Sequence, residues 1–357
     1  MACLLLVNIS ASAAGYDYPV KPGMPEWEEA TQDRGQLKAD LQIPEDLLSS
    51  MSTEELVDTV LNYPCFNDLY YYNNKQEGFE SLSDVFNGFQ ELLSRDDAAT
   101  VLLNKYNQTA AEQKNVKSVM SMGDAEAVEK ISYKANIEVL LAQPEVYEDM
   151  IQEEAQEIDN IIDNEQKSVR SLASTITYKQ NMMAEMLNDQ QNNEVTAEVS
   201  EISEVSPMAS IPTATVKTPK GSSVAVLILG EQLTASDKQY MKVEALQSFP
   251  GTSFVQPATS HYNCHSYAWY SQSYGSNRFW MNDPTKYMTD GSYKEVSLGS
   301  RKNADRVWYS GTHTALVNKA GQSNDQISKW GDYPLMQHGL KNNPYYYAPL
   351  IIKAYRR

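Results

Sequence analysis

The stretch NNEVTAEVSEISEVSPMASIPTATVKTPKGS, residues 192–222, constrains the architecture of this chain more than any other. It has no helical period, and its Ser, Thr, Val, Glu and Pro content is that of an extended linker. A linker there divides 357 residues into two parts, each long enough for a core of its own. The parts differ in texture. Residues 15–191 run in helical periods and hold no histidine. Residues 223–357 hold all four histidines and four of the five tryptophans, set among short apolar runs.

The first part predicts an all-α domain. Pro44 suits a first helical position. In MSTEELVDTVLNYP, Ser52 and Glu55 have capping-box spacing, Leu56, Val57, Val60 and Leu61 share a face, and Pro64 ends the helix. A further helix is expected from about Gly123 to Ala142. The longest helical pattern runs from about Glu145 to Gln190, where Ile151, Ala155, Ile158 and Ile162 make a stripe suited to a hairpin or bundle core. Residues 15–42 show little periodicity and are expected to be an exposed lead-in. Cys65, after Pro64, reads as a buried structural thiol.

Charge separates the parts further. From Gly251 onward there are 12 Lys and Arg against 6 Asp and Glu, while the first 250 residues carry 17 against 41. Phosphate repels so acidic a half, which argues against nucleic-acid binding by it. The basic excess at the other end suits either a polyanionic substrate such as a cell wall or a solvated surface. Residues 1–14 join a short apolar run to Ala-Ser-Ala-Ala. They resemble the latter portion of a secretory signal peptide without its basic start, so the expected location is secreted or at a bacterial cell surface. No run of 18 apolar residues suggests a transmembrane segment.

In the second part, VAVLILG predicts a buried strand and TASDKQYMKVEALQSFPG a capped helix. A helix is expected from Cys264 to Ser273, then strands at DRVWYS, HTALVNK and DQISKWG. A helix packed on an antiparallel sheet is an α+β domain. The segment HYNCHSYAWY, residues 261–270, places Cys264 at that helix start with Asn263 as a cap. Exposed N–H groups and the helix dipole there favour a thiolate. His265 is a poor base for it, because helical neighbours point about 100° apart. His313, opening the strand HTALV, is better placed. H-x-x-C-H could instead bind zinc, but no second Cys/His pair stands nearby, so no metal ligand and no cofactor are assigned.

The ordered set NCHSYAW, DRVWYSGT, HTALV and DQISKWG resembles the NlpC-type and CHAP-type cysteine hydrolases, over about residues 220–357. The resemblance implies a papain-like domain with Cys264 as nucleophile, His313 as base and a third polar residue holding the histidine. Ser328 ranks first for that place, with Lys329 and His338 as alternatives. Asn263 and Ala315 stand where many relatives have Asp and Gly. Around the site, His261, Asn263, His265 and Trp330 are candidates for substrate contact, and Trp330 is expected to be partly exposed. The implied substrate is a peptide or amide bond, perhaps in a peptidoglycan-like polymer. Two alternatives stay open: an inactive papain-like surface interaction protein, and a cysteine acyltransferase.

Overall fold

Helices fill the N-terminal half and antiparallel strands the C-terminal half of the chain, whose computed structural model describes residues 15–115, 125–148, 150–169, 179, 182–183, 185–187, 211–347 and 350–357. The apolar start at residues 1–14 and residues 192–210 of the expected linker lie outside these. The Ser52 capping box forms with both of its hydrogen bonds, and the helix Thr53–Leu61 buries Leu56, Val57, Val60 and Leu61. The helix Ala125–Leu141 follows the expected course. The next pattern is interrupted: Pro144–Tyr147 forms one turn and Gln152–Val169 a second helix, with Ile151 exposed between them.

Residues 15–42 are not an exposed lead-in. They form the helices Trp27–Ala30 and Arg34–Asp40, and Tyr18, Trp27, Leu37 and Leu41 are buried. Arg34 and Lys38 are buried too, both paired with Asp68. Helices of two turns or fewer show too little period to read, and two buried cations look like surface until their shared carboxylate is known.

The C-terminal half begins earlier than expected, with a hairpin of β1 (Thr213–Lys217) and β2 (Ser223–Leu227). Its turn uses Gly221 at φ +91°, a conformation glycine adopts without strain. The strands β3 (Ser253–Gln256), β4 (Lys294–Val296), β5 (Arg306–Tyr309), β6 (His313–Val317), β7 (Gln326–Lys329), β8 (Leu335–His338) and β9 (Ile352–Arg356) form one antiparallel sheet in the order β3-β8-β7-β6-β5-β9-β4. Side chains alternate across it. Leu316, Ile327 and Leu335 face Tyr262 and Tyr267, beside the helical turn that follows Cys264. On the opposite face, Val307, Tyr309, Ala315 and Val317 of β5 and β6 pack on Leu340, Tyr346 and Leu350, while the β8 end meets the helical half. Trp330, Tyr333, Met336 and Tyr345 belong to the same continuous core as Trp27, Leu56, Tyr71 and Phe89. The two halves therefore share one apolar core across the sheet.

Candidate functional site

Cys264 begins a single helical turn, and Ser266–Tyr270 wind as a π turn closed by Ser271 N–H on Ser266 O. Asn263 caps it: its Oδ1 accepts from Ser266 N at 3.1 Å and Met281 N at 3.2 Å, while its Nδ2 donates to Met281 O at 2.8 Å. Both ends of this amide are spent on architecture, and the residue is fully buried. It anchors the helix start and offers nothing to a substrate.

β6 and β7 pair only at Leu316–Ile327 and Val317–Gln326. Just before that pairing begins, the Thr314 N–H is directed at Cys264 Sγ, as is the His265 N–H. The Asn73 carboxamide of the helical half lies against the same sulfur, with Nδ2 at 3.7 Å and Oδ1 at 3.8 Å. Cys264 has no exposed surface. Burial outweighs these donors and pushes its thiol up to about 11. The helix start thus supplies the expected N–H groups, yet in this closed arrangement the sulfur keeps its proton. Lys329 lies close enough for a Cys264 thiolate to favour its charge, but burial brings its ammonium down to about 7. Its Nζ donates to Gly331 O at 2.6 Å.

Two of the four histidines are locked in matching chains. Trp269 Nε1 donates to Thr314 Oγ1 at 3.1 Å, that hydroxyl donates to His265 Nδ1 at 2.9 Å, and His265 Nε2 donates to Gly311 O at 3.1 Å. Trp330 Nε1 donates to Ser328 Oγ at 3.1 Å, that hydroxyl donates to His338 Nε2 at 2.7 Å, and His338 Nδ1 donates to Gly339 O at 2.8 Å. Each carbonyl can only accept, which sets each ring's tautomer. Burial brings both histidines down to about 4, so both are neutral.

These chains revise several expectations. His265 is not placed to contact a substrate; it is buried with both ring nitrogens used. Ser328 does not hold His313, because its hydroxyl serves His338 and Trp330. His338 and Lys329 make their bonds elsewhere too. Trp330 is fully buried against Tyr71 and Phe249, so it is no groove-lining ring. An indole at a strand end looks exposed in a chain read alone, because the rings covering it, Phe249 and Tyr71, stand about 80 and 260 residues upstream. His261 is half-buried and turns Nδ1 to Leu229 O at 3.2 Å.

His313 is different. It is fully buried, and neither ring nitrogen has a hydrogen-bond partner, so it is not bonded to Cys264 Sγ either. Thr314 turns its side chain toward the Cys264 helix, so alternation along β6 sends His313 to the other face. There its ring stacks on Tyr345 with centroids 3.6 Å apart and planes 8° from parallel. Desolvation, with His338 and His265 nearby, holds it well below the usual imidazole range. Tyr345 is the link between the two groups: it stacks on His313, and a Cys264 thiolate would lie close enough to disfavour its ionisation.

Asn73 and Tyr345 escape a reading of the sequence. Asn73 stands 191 residues from Cys264, and nothing in YYYNNK marks the first of its two asparagines as special. Among the described residues, no three or more His, Cys, Asp or Glu side chains are grouped to hold a metal, and no helix is long and apolar enough to cross a membrane. Comparison of the chain with protein-family models, curated proteins and solved structures finds no match.

Proposed function

We propose that this chain is a papain-like cysteine hydrolase, resembling the NlpC and CHAP types, that cleaves a peptide or amide bond with Cys264 as nucleophile and His313 as base. The observation that carries this reading is the contrast among buried histidines. His265 and His338 are fully engaged, whereas His313 keeps both nitrogens free one residue from the N–H that meets Cys264 Sγ. A buried, unpartnered imidazole costs stability, and retention of such a group next in the strand to the residue whose N–H meets a thiol favours a chemical role.

In the reaction, the Cys264 proton passes to a His313 ring nitrogen and the sulfur attacks the carbonyl carbon, forming an S–C bond. The His313 proton then goes to the departing nitrogen as the C–N bond breaks. Water, deprotonated by the same ring, releases the acid and restores the thiol. Backbone N–H groups at the helix start stabilise the developing oxyanion. Stacking on Tyr345, in place of a third hydrogen-bonding residue, fixes the plane of the imidazole. A peptidoglycan-like polymer at a bacterial surface fits the basic excess of the C-terminal part.

The test is mass spectrometry of fragments released from peptidoglycan sacculi and from a peptide library. Both the chain and its Asn73→Ala variant are used, beside Cys264→Ala and His313→Ala. New amine termini are expected, absent from the Cys264→Ala and His313→Ala proteins. No release by either active form, at any pH where the fold persists, rejects the reading. The absent bond between sulfur and imidazole favours the second reading, a surface interaction protein without turnover, and that outcome would favour it further.

A further inference from the structure

We propose that residues Tyr71–Asn74 of the helical half are a built-in cover over Cys264, and that the site opens when this segment alone withdraws. The inference rests on the reading of Cys264 as a nucleophile for its purpose, but not for its geometry.

The segment is an extended bridge between two helical elements. It starts on the last residue of the 3₁₀ turn Phe66–Tyr71, and the helix Lys75–Ser83 begins after it, capped by Asn74 on Gln76 N and Glu77 N. Tyr71, Tyr72 and Asn73 each touch the sheet half. Tyr71 O accepts from Tyr345 Oη at 2.5 Å, and the Tyr71 ring packs against Phe249, Trp330 and Tyr333. The Tyr72 ring meets that of Tyr345 with centroids 5.0 Å apart. Asn73 lays its carboxamide on the sulfur. Gly331, at φ +49°, lets the bridge approach this closely: a Cβ there would overlap the Tyr71 and Tyr72 carbonyl oxygens.

A substrate carbonyl must come within about 3–3.5 Å of the sulfur for attack. The Asn73 amide occupies that approach, and Cys264 has no accessible surface. The group in the way is itself a carboxamide, the function that the proposed reaction consumes. Opening need not separate the halves. Arg34 and Lys38 hold the sheet half elsewhere, through Ser248 O and Pro344 O. At the two ends of the bridge Tyr72 N donates to Leu69 O and Asn74 O accepts from Gly78 N, and the Tyr71 and Tyr72 rings are fully buried, so its release is a costly and infrequent local opening, though one smaller than separation of the halves.

Cys65 supplies an internal control. It is equally buried, lies in the helical half, and burial pushes its thiol up to about 11 as well. The experiment is native alkylation of the full chain with iodoacetamide, with each cysteine followed by peptide mapping. In the unsubstituted chain Cys264 and Cys65 should both react far more slowly than after denaturation. The double variant Asn73→Ala/Tyr345→Phe removes two clasps while leaving little cavity. It should speed Cys264 by about tenfold or more with Cys65 unchanged. Gly331→Ala, which drives a methyl group against the bridge, should do the same.

Three results overturn the proposal: Cys264 of the unsubstituted chain reacting at the denatured rate, no acceleration in either variant, or Cys65 accelerating in step with Cys264. The last would mean that the whole fold opens. Because alkylation needs no turnover, a cover that behaves as described on a protein that cleaves nothing would reject the hydrolase reading alone.

Discussion

Two fully buried polar clusters in this molecule have opposite accounts. Around Asp68 every charge is answered. Arg34 Nε and Nη2 meet its two oxygens at 3.1 and 2.6 Å, Lys38 Nζ lies at 3.0 Å, and the guanidinium also covers the Phe249 ring. Around Cys264 and His313 the account is lopsided: the sulfur draws two backbone N–H groups and long contacts from an amide, and the imidazole has no hydrogen-bond partner. The first cluster ties Arg34 and Lys38 of the helical half to backbone carbonyls of the sheet half. The second does nothing for stability that an apolar pair would not do better. Satisfied buried polar groups specify a structure; unsatisfied ones are where a structure departs from its most stable form, and such departures concentrate at functional sites.

Acid should produce the largest effect. His265 and His338 titrate near 4 in the fold, below the ordinary value of 6.5. In that interval the unfolded chain binds their protons and the folded chain does not. Their contribution is therefore complete above the unfolded pKa and is lost as pH falls toward 4, at about 1.4 kcal/mol per pH unit for each histidine. Urea midpoints measured from pH 7 to pH 4 should fall steeply, and His265→Gln with His338→Gln should make the fall shallower, leaving the share of His313, which burial also holds below the ordinary value.

Asp68→Ala comes next. It leaves two buried cations without their anion and should cost about 3–5 kcal/mol by chemical denaturation. A loss under 1 kcal/mol would mean that water reaches the cluster and that the contrast drawn here is false. His338→Phe should cost about 1–3 kcal/mol, because it strands the Ser328 hydroxyl and the Gly339 carbonyl. His313→Phe should be the mildest, within about 1 kcal/mol of the parent, since it keeps the stack on Tyr345 and breaks no hydrogen bond. It should also abolish any hydrolysis. Equal losses from the two histidine substitutions, measured under one set of conditions, would erase the distinction between them.

Local signals carried much of this structure. Ser52 and Glu55 announce their helix start because a capping box is complete within four residues. The strands DRVWYS, HTALV and DQISKWG are legible from short-range alternation, and Cys264 at a helix start follows from Asn263 as cap. Trp330, Ser328 and His265 were misplaced for one reason. Each is given its role by a partner distant in the chain or on an adjoining strand, and alternation alone does not say which strand end lies under another element.

The helical half, the antiparallel half, the helix start at Cys264 and the strand that opens with His313 are written in the residue order, because they rest on spacing within a few residues. Packing in three dimensions brings the halves into one core, locks two histidines while leaving a third bare, and sets Asn73 against Cys264. Those are contacts between segments far apart in the chain, and their existence depends on which surfaces exclude water together.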